Sequence, residues 1–304
     1  MNTNEKALEL FEKNEYEAAI KLFHEAVEES RNIQSLNNLA WIYFYEEEND
    51  EKALELIKEV INMNPASYFP YNLLGEIYIG QEKWNLASSA LMKSLSIQPS
   101  NEAYHNLAVV KYKLGDVKEA SDLFLRVAGD SDVVMYAHVK CLIDLGLKTE
   151  ARKKLNAFNV EADDYVGDIE VADLYVELEC FTEATYWFEK GYNDYAKMPD
   201  WISRFIYALY KTNNIQRIHE VIDNVIHQKD KEIKETYEEE CDEDWTEKDK
   251  EEYLERLFAE KSNYENMAER ILTGYIPEID FEPITTGACY LFGCKRHNHP
   301  EYKE

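Results

Sequence analysis

Along the first three quarters of the chain, small and large apolar residues alternate at a helical spacing that itself repeats. The stretches YEAAIKLFHEAV, DEKALELIKEVI, KWNLASSALMKSL, VKEASDLFLRVA and FTEATYWFEKGY each place a small residue four positions before a large apolar one. Residues four apart share one face of a helix, so each stretch predicts an amphipathic helix that a neighbour can approach closely. The small residues are Ala19, Ala53, Ala87, Ala120 and Ala184; Ala151 in KTEARKKL lies between the last two, and Ile218 continues the series. Successive gaps are 34, 34, 33, 31, 33 and 34 residues, a period that marks a repeat architecture.

A second helical pattern precedes these positions in NNLAWIYFY, YNLLGEIYIG, YHNLAVVKYKLG and VADLYVEL. Leu39-Ala40, Leu74-Gly75 and Leu107-Ala108 supply a large–small pair at which one helix can lie against the next. Pro65 and Pro99 each fall twelve residues after the marker alanine, where proline ends a helix because it lacks the amide that continues the ladder. Each unit therefore reads as helix A, a tight turn and helix B.

This pattern resembles the tetratricopeptide repeat family, most specifically in the third unit. There Tyr71, Leu74, Gly75, Tyr78, Ala87, Leu91 and Pro99 sit at the family's positions. The likeness covers residues 3–228 as about seven units, of which the fifth is three residues short and the seventh has Ile218 at the small position. It implies an all-α, right-handed superhelical solenoid whose concave wall is made by the A helices. In that family the wall contacts an extended peptide or a partner helix. Carried over, it comprises Gln34, Asn37, Trp41, Phe44 and Tyr45, then Phe69, Asn72, Glu76 and Ile79, then His105, Val109, Tyr112 and Lys113. Asn38, Asn72 and Asn106 are spaced by 34 and 34, and either grip a peptide backbone or satisfy groups between helices. The expected partner-binding residues are Asn38, Trp41, Tyr45, Asn72, Glu76, Asn106 and Tyr112.

Repeats of this kind bury their apolar faces only against neighbours, so the last needs a cap. Residues 229–274 provide an acidic helical segment and a capping helix. Thr246 is the expected N-cap, Tyr253, Leu254, Leu257 and Phe258 the apolar stripe, and Gly274 the end. Within this segment, positions 232–252 hold twelve acids against three lysines. The remainder, 275–304, is interrupted by proline and predicts a non-helical tail.

The net charge of −28 argues against a phosphate-binding surface, hence against nucleic acid and anionic membrane, and favours a basic or neutral protein or peptide. Five scattered cysteines and no basic-then-apolar leader fit a reducing, cytoplasmic setting. No phosphate loop, nucleophile elbow, HExxH or EF-hand pattern occurs.

Only the tail gathers ligand-type residues: Cys289, Cys294, His297 and His299 in ACYLFGCKRHNHPEYKE. Together they are a candidate zinc site, although Cys-x4-Cys is wider and His-x-His narrower than the usual pairs, which leaves Cys294-x2-His297 the best spaced. The competing reading makes Ala288–Phe292 a short buried strand or extended plug, with Lys295-Arg296-His297 as a basic tip against the acidic run. A catalytic Cys/His pair lacks a recognisable orienting carboxylate. The sequence thus leads to a non-enzymatic tetratricopeptide adaptor. The alternatives are an acidic inhibitor or immunity-type protein that neutralises a basic toxin or enzyme, and a metal-dependent activity of the tail.

Overall fold

A computed structural model of the chain describes residues 2–303. Among these residues the backbone forms helices and no strand. The A helices are α1 (Thr3–Glu12), α3 (Ile33–Tyr45), α5 (Phe69–Gly80), α7 (Asn101–Lys113), α9 (Asp132–Asp144), α11 (Asp168–Glu177) and α13 (Pro199–Lys211). The B helices are α2 (Tyr16–Glu29), α4 (Asp50–Asn62), α6 (Trp84–Ile97), α8 (Val117–Ala128), α10 (Lys148–Leu155), α12 (Phe181–Gly191) and α14 (Ile215–Glu238), followed by α15 (Glu247–Leu272).

Two local rules set this alternation. The marker alanines at 19, 53, 87, 120, 151 and 184 are fully buried, and the large residues four positions on, Phe23, Ile57, Leu91, Phe124 and Phe188, are buried with them. Five residues before each marker the chain adopts a left-handed conformation, at Asn14, Glu48, Glu82, Gly115, Gly146, Glu179 and Asn213. That single residue closes helix A: amides just beyond it bond back to the A helix, as in Lys83 N–H to Tyr78 O at 2.8 Å and Cys180 N–H to Tyr175 O at 2.9 Å. These are the bonds of a Schellman turn, which satisfies carbonyls that the helix end would leave orphaned. Gly75 lets α5 lie close against α6, since a Cβ there would fall 2.7 Å from Leu91 Cδ2.

The chain divides into two compact units, Met1–Leu145 with Pro283–Glu304, and Gly146–Glu282. In the first, successive helices from α1 to α9 pack in order, and the tail joins their core through Tyr290, Leu291, Phe292 and Cys294. In the second, α15 packs on α13 and α14. Its Thr246 N-cap makes a capping box with Asp249, and Gly274 follows in a left-handed conformation. The buried stripe differs from the expected one. Leu254 and Leu257 lie inside, but it continues through Tyr264, Met267 and Ile271, while Phe258 is exposed. Part of the acidic run belongs to α14, which crosses position 229 without interruption and ends at Glu238.

Candidate functional site

The wall formed by α3, α5 and α7 is covered by residues 284–302 of the same chain. In an extended segment the N–H and C=O of one residue point to the same side, and the side alternates along the chain. The even-numbered residues of the tail turn theirs to the helices. The carbonyls of Ile284, Thr286, Ala288, Tyr290 and Phe292 accept from His105 Nε2 (2.7 Å), Asn106 Nδ2 (2.7 Å), Trp41 Nε1 (3.0 Å), Asn37 Nδ2 (2.7 Å) and Asn38 Nδ2 (2.9 Å). Two amides answer: Thr286 N–H donates to Asn106 Oδ1 at 2.9 Å and Phe292 N–H to Asn38 Oδ1 at 2.8 Å. Asn38 and Asn106 thus each hold one residue by both backbone groups. The tail runs from α7 to α3, opposite to the order of the repeats.

Side chains seat the segment in register. Phe69 stacks on Phe292 with centroids 5.1 Å apart and meets Tyr290 and His299 as well. Tyr290, Leu291 and Phe292 are all buried. Gly287 passes directly over Tyr45, where a Cβ would lie 2.5 Å from the phenol oxygen. Beyond Phe292 the chain reverses at Gly293 and Asn298, both left-handed, and Gly293 N–H closes the reversal on Pro300 O at 2.9 Å. Tyr302 N–H then reaches Gln34 Oε1 at 2.9 Å.

Glu76 on α5 lies at the centre of this surface. It accepts from Tyr45 Oη, from Tyr290 Oη of the tail at 2.7 Å and from Asn106 Nδ2 at 3.2 Å. Burial pushes its carboxyl up to about 8, against the two phenol bonds, and Glu102 on α7 adds to the rise. Burial also raises the phenols of Tyr45 and Tyr290, with the Glu76 charge contributing. When Tyr290 leaves, water returns to the carboxylate and its affinity for a proton falls. The docked tail therefore carries the higher pKa: docking is favoured below it and weakens as pH rises through about 8. Between pH 7 and pH 9 the protection of the Thr286 amide, corrected for intrinsic exchange, is expected to fall about tenfold. Glu76→Gln is expected to flatten that dependence, and an unchanged slope in this variant would assign it to another group.

The sequence-derived partner residues thus separate into two groups. Asn38, Trp41 and Asn106 bond the tail backbone, Glu76 bonds its Tyr290, and Tyr45 underlies Gly287. Asn72 does not join them. Asn72 is fully buried within its own repeat, where its Oδ1 accepts from Ser94 Oγ of α6. Tyr112 donates to Asp144 Oδ2 at 2.9 Å. Asn37 and His105, which hold two of the five carbonyls, stood on the expected wall but outside the narrower set.

The tail's ligand-type residues also separate. Donor atoms of Cys289, Cys294 and His297 lie within 4.8 Å of one another, whereas His299 donates its Nδ1–H to Leu291 O at 3.1 Å. Burial pushes the Cys289 thiol up, and the adjacent Cys294 adds to this. Lys295 and Arg296 meet Glu12 at the end of α1, their amides donating to Glu12 Oε1 at 2.9 and 3.1 Å. Nothing in the local sequence singled out Glu12.

Residues 7–131 match the family model of ChAPs (Chs5p-Arf1p-binding proteins). No curated protein sequence matches the chain. Similar solved structures include MamA, 17% identical over 64% of this chain and 98% of that one, with a TM-score of 0.46. YrrB, described as a TPR protein with an unusual peptide-binding site, is 19% identical over 66% of this chain and 94% of its own, with a TM-score of 0.44. Yeast Tom70 is 17% identical over 89% of this chain and 55% of its own, with a TM-score of 0.46. With a buried marker residue and a left-handed turn residue in every helix pair, the repeats of this chain are of the tetratricopeptide type.

Proposed function

We propose that this protein is a non-enzymatic binding module whose α3–α5–α7 wall takes an extended peptide segment of a protein partner, with its own tail as resident occupant. The observation that carries this reading is the alternation itself: every second carbonyl from Ile284 to Phe292 is held by a groove side chain. Such a ladder recognises backbone more than sequence, so a groove built to hold the tail is equally built to hold another extended chain. The ChAPs description names proteins that bind Arf1p, and a protein-binding role for residues 7–131 is consistent with it. The tail then acts as a competitor that a partner must displace. No helix among the described residues is long and apolar enough to cross a membrane. The acidic composition favours a basic or neutral partner through faster encounter, while the groove itself supplies the affinity.

Amide hydrogen exchange on the intact protein tests this seating. Thr286 and Phe292, whose amides are received by Asn106 and Asn38, are expected to exchange far more slowly than Thr285, two residues earlier than Gly287. In the double variant Asn38→Ala, Asn106→Ala the protection of both should drop by one to several powers of ten. Each substitution leaves a backbone N–H and C=O without their partner, at about 1–3 kcal/mol per site. Uniformly fast exchange across 284–292 in the unmodified protein would overturn the reading.

A further inference from the structure

We propose that Cys289, Cys294 and His297 form a binding site for a thiophilic divalent cation of the zinc class, held in the turn that ends the tail. The claim concerns the tail's own chemistry and does not depend on whether the groove accepts an outside partner. Three soft or borderline donors, two Sγ and His297 Nδ1, lie within 4.8 Å of one another, with Cys294 Sγ and Nδ1 at 3.3 Å. Around a tetrahedral zinc ion, bonds of about 2.3 Å to sulfur and 2.0 Å to nitrogen put donor atoms roughly 3.5–3.8 Å apart. Adjustments of side-chain torsions alone convert one arrangement into the other.

The surrounding backbone is arranged for it. Gly293 and Asn298 take the left-handed conformations that fold the chain back, and His299 N–H bonds Cys294 O at 2.9 Å, which brings His297 across to Cys294. Glu12 fixes the same turn from outside through the amides of Lys295 and Arg296. Cys294 is buried, Cys289 half-buried and His297 exposed, so an ion bound here has its fourth position toward solvent, taken by water. On binding, each thiol gives up its proton to solvent and its sulfur lone pair to the cation. Two thiolates then balance the divalent charge at a site that is only partly solvated. His299 stands outside the group of donor atoms that lie within 4.8 Å of one another, its ring packed on Phe69.

The test is a titration of the intact, fully reduced and chelator-stripped protein with Co2+, followed by displacement with Zn2+. One equivalent of Co2+ is expected to give the near-ultraviolet thiolate-to-cobalt absorption and the visible bands of a tetrahedral centre, both abolished by one equivalent of Zn2+. His297→Ala removes an exposed ring and leaves the fold intact. It is expected to weaken binding by on the order of a hundredfold, and Cys294→Ser by at least as much. Three results would overturn the site: absence of the thiolate band, wild-type affinity in His297→Ala, or a Cys289–Cys294 disulfide that persists in reductant and excludes the metal.

Discussion

A Gly287→Phe variant is expected to bind an added peptide corresponding to residues 283–303 about a hundredfold more tightly than the unmodified protein does. Gly287 crosses Tyr45 so closely that a Cβ would lie 2.5 Å from the phenol oxygen and 3.0 Å from Cε1. The ring cannot swing away, because its hydroxyl is bound to Glu76, which is itself held by Asn106. A phenylalanine at 287 therefore unseats the segment that carries it, while every helix residue of the wall is untouched. In the unmodified protein the tethered tail competes at an effective concentration of about 1 mM, and a peptide with a dissociation constant near 10 µM loses roughly two orders of magnitude to it. Fluorescence anisotropy of a labelled peptide reads the difference directly. Adding Asn38→Ala to Gly287→Phe should cancel most of the gain, because the wall then lacks the amide that receives Phe292. Equal affinities in Gly287→Phe and the unmodified protein would mean that the tail does not guard the groove.

The repeats were readable in the sequence because the rules that make them are local. A buried alanine, a large residue four positions later and a left-handed residue five positions earlier lie within ten residues of one another, and the pattern recurs often enough to stand out. The groove was readable to the extent that a helix face follows from its period. The asparagine ladder shows both the strength and the limit of that inference. Asn38 and Asn106 stand two positions before the small residue of helix A, whereas Asn72 stands three before Gly75. One residue turns a helix by about 100°, enough to aim Asn72 into its own repeat toward Ser94 instead of at the tail. The occupant was not readable, since Asn38 and Phe292 are 254 residues apart and an extended segment with prolines has no period to match against the wall. The tail's ligand residues gather because Gly293 and Asn298 reverse the chain, a backbone event that the Cys and His spacings do not encode.

In the second unit, Arg204→Ala is expected to remove about 3–5 kcal/mol of stability, the largest loss from any single side chain considered. Arg204 on α13 and Asp173 on α11 are both buried and pair in a two-pronged geometry, Nε to Oδ1 at 2.6 Å and Nη2 to Oδ2 at 2.8 Å. The guanidinium also reaches Asp200 Oδ2 at 3.2 Å and the carbonyl of Glu278 at 3.3 Å, so it ties α11, α13 and the strand-free stretch after α15 together. Burial pushes the Asp173 carboxyl up to about 7 even though the Arg204 hydrogen bonds and charge work against that rise. Without Arg204 the carboxylate keeps the full cost of burial and its folded-state pKa climbs further above the unfolded value. The folded variant then binds more protons than the unfolded chain, so its stability falls as pH rises. Urea unfolding should accordingly find the deficit larger at pH 8 than at pH 5. Replacing both partners by apolar residues, Arg204→Met with Asp173→Leu, should restore most of the loss, because the cost lies in the unpaired buried charge rather than in the missing attraction. A deficit below about 1 kcal/mol in Arg204→Ala, or one that does not change with pH, would mean that water reaches Asp173 and that the pair is no part of the unit's core.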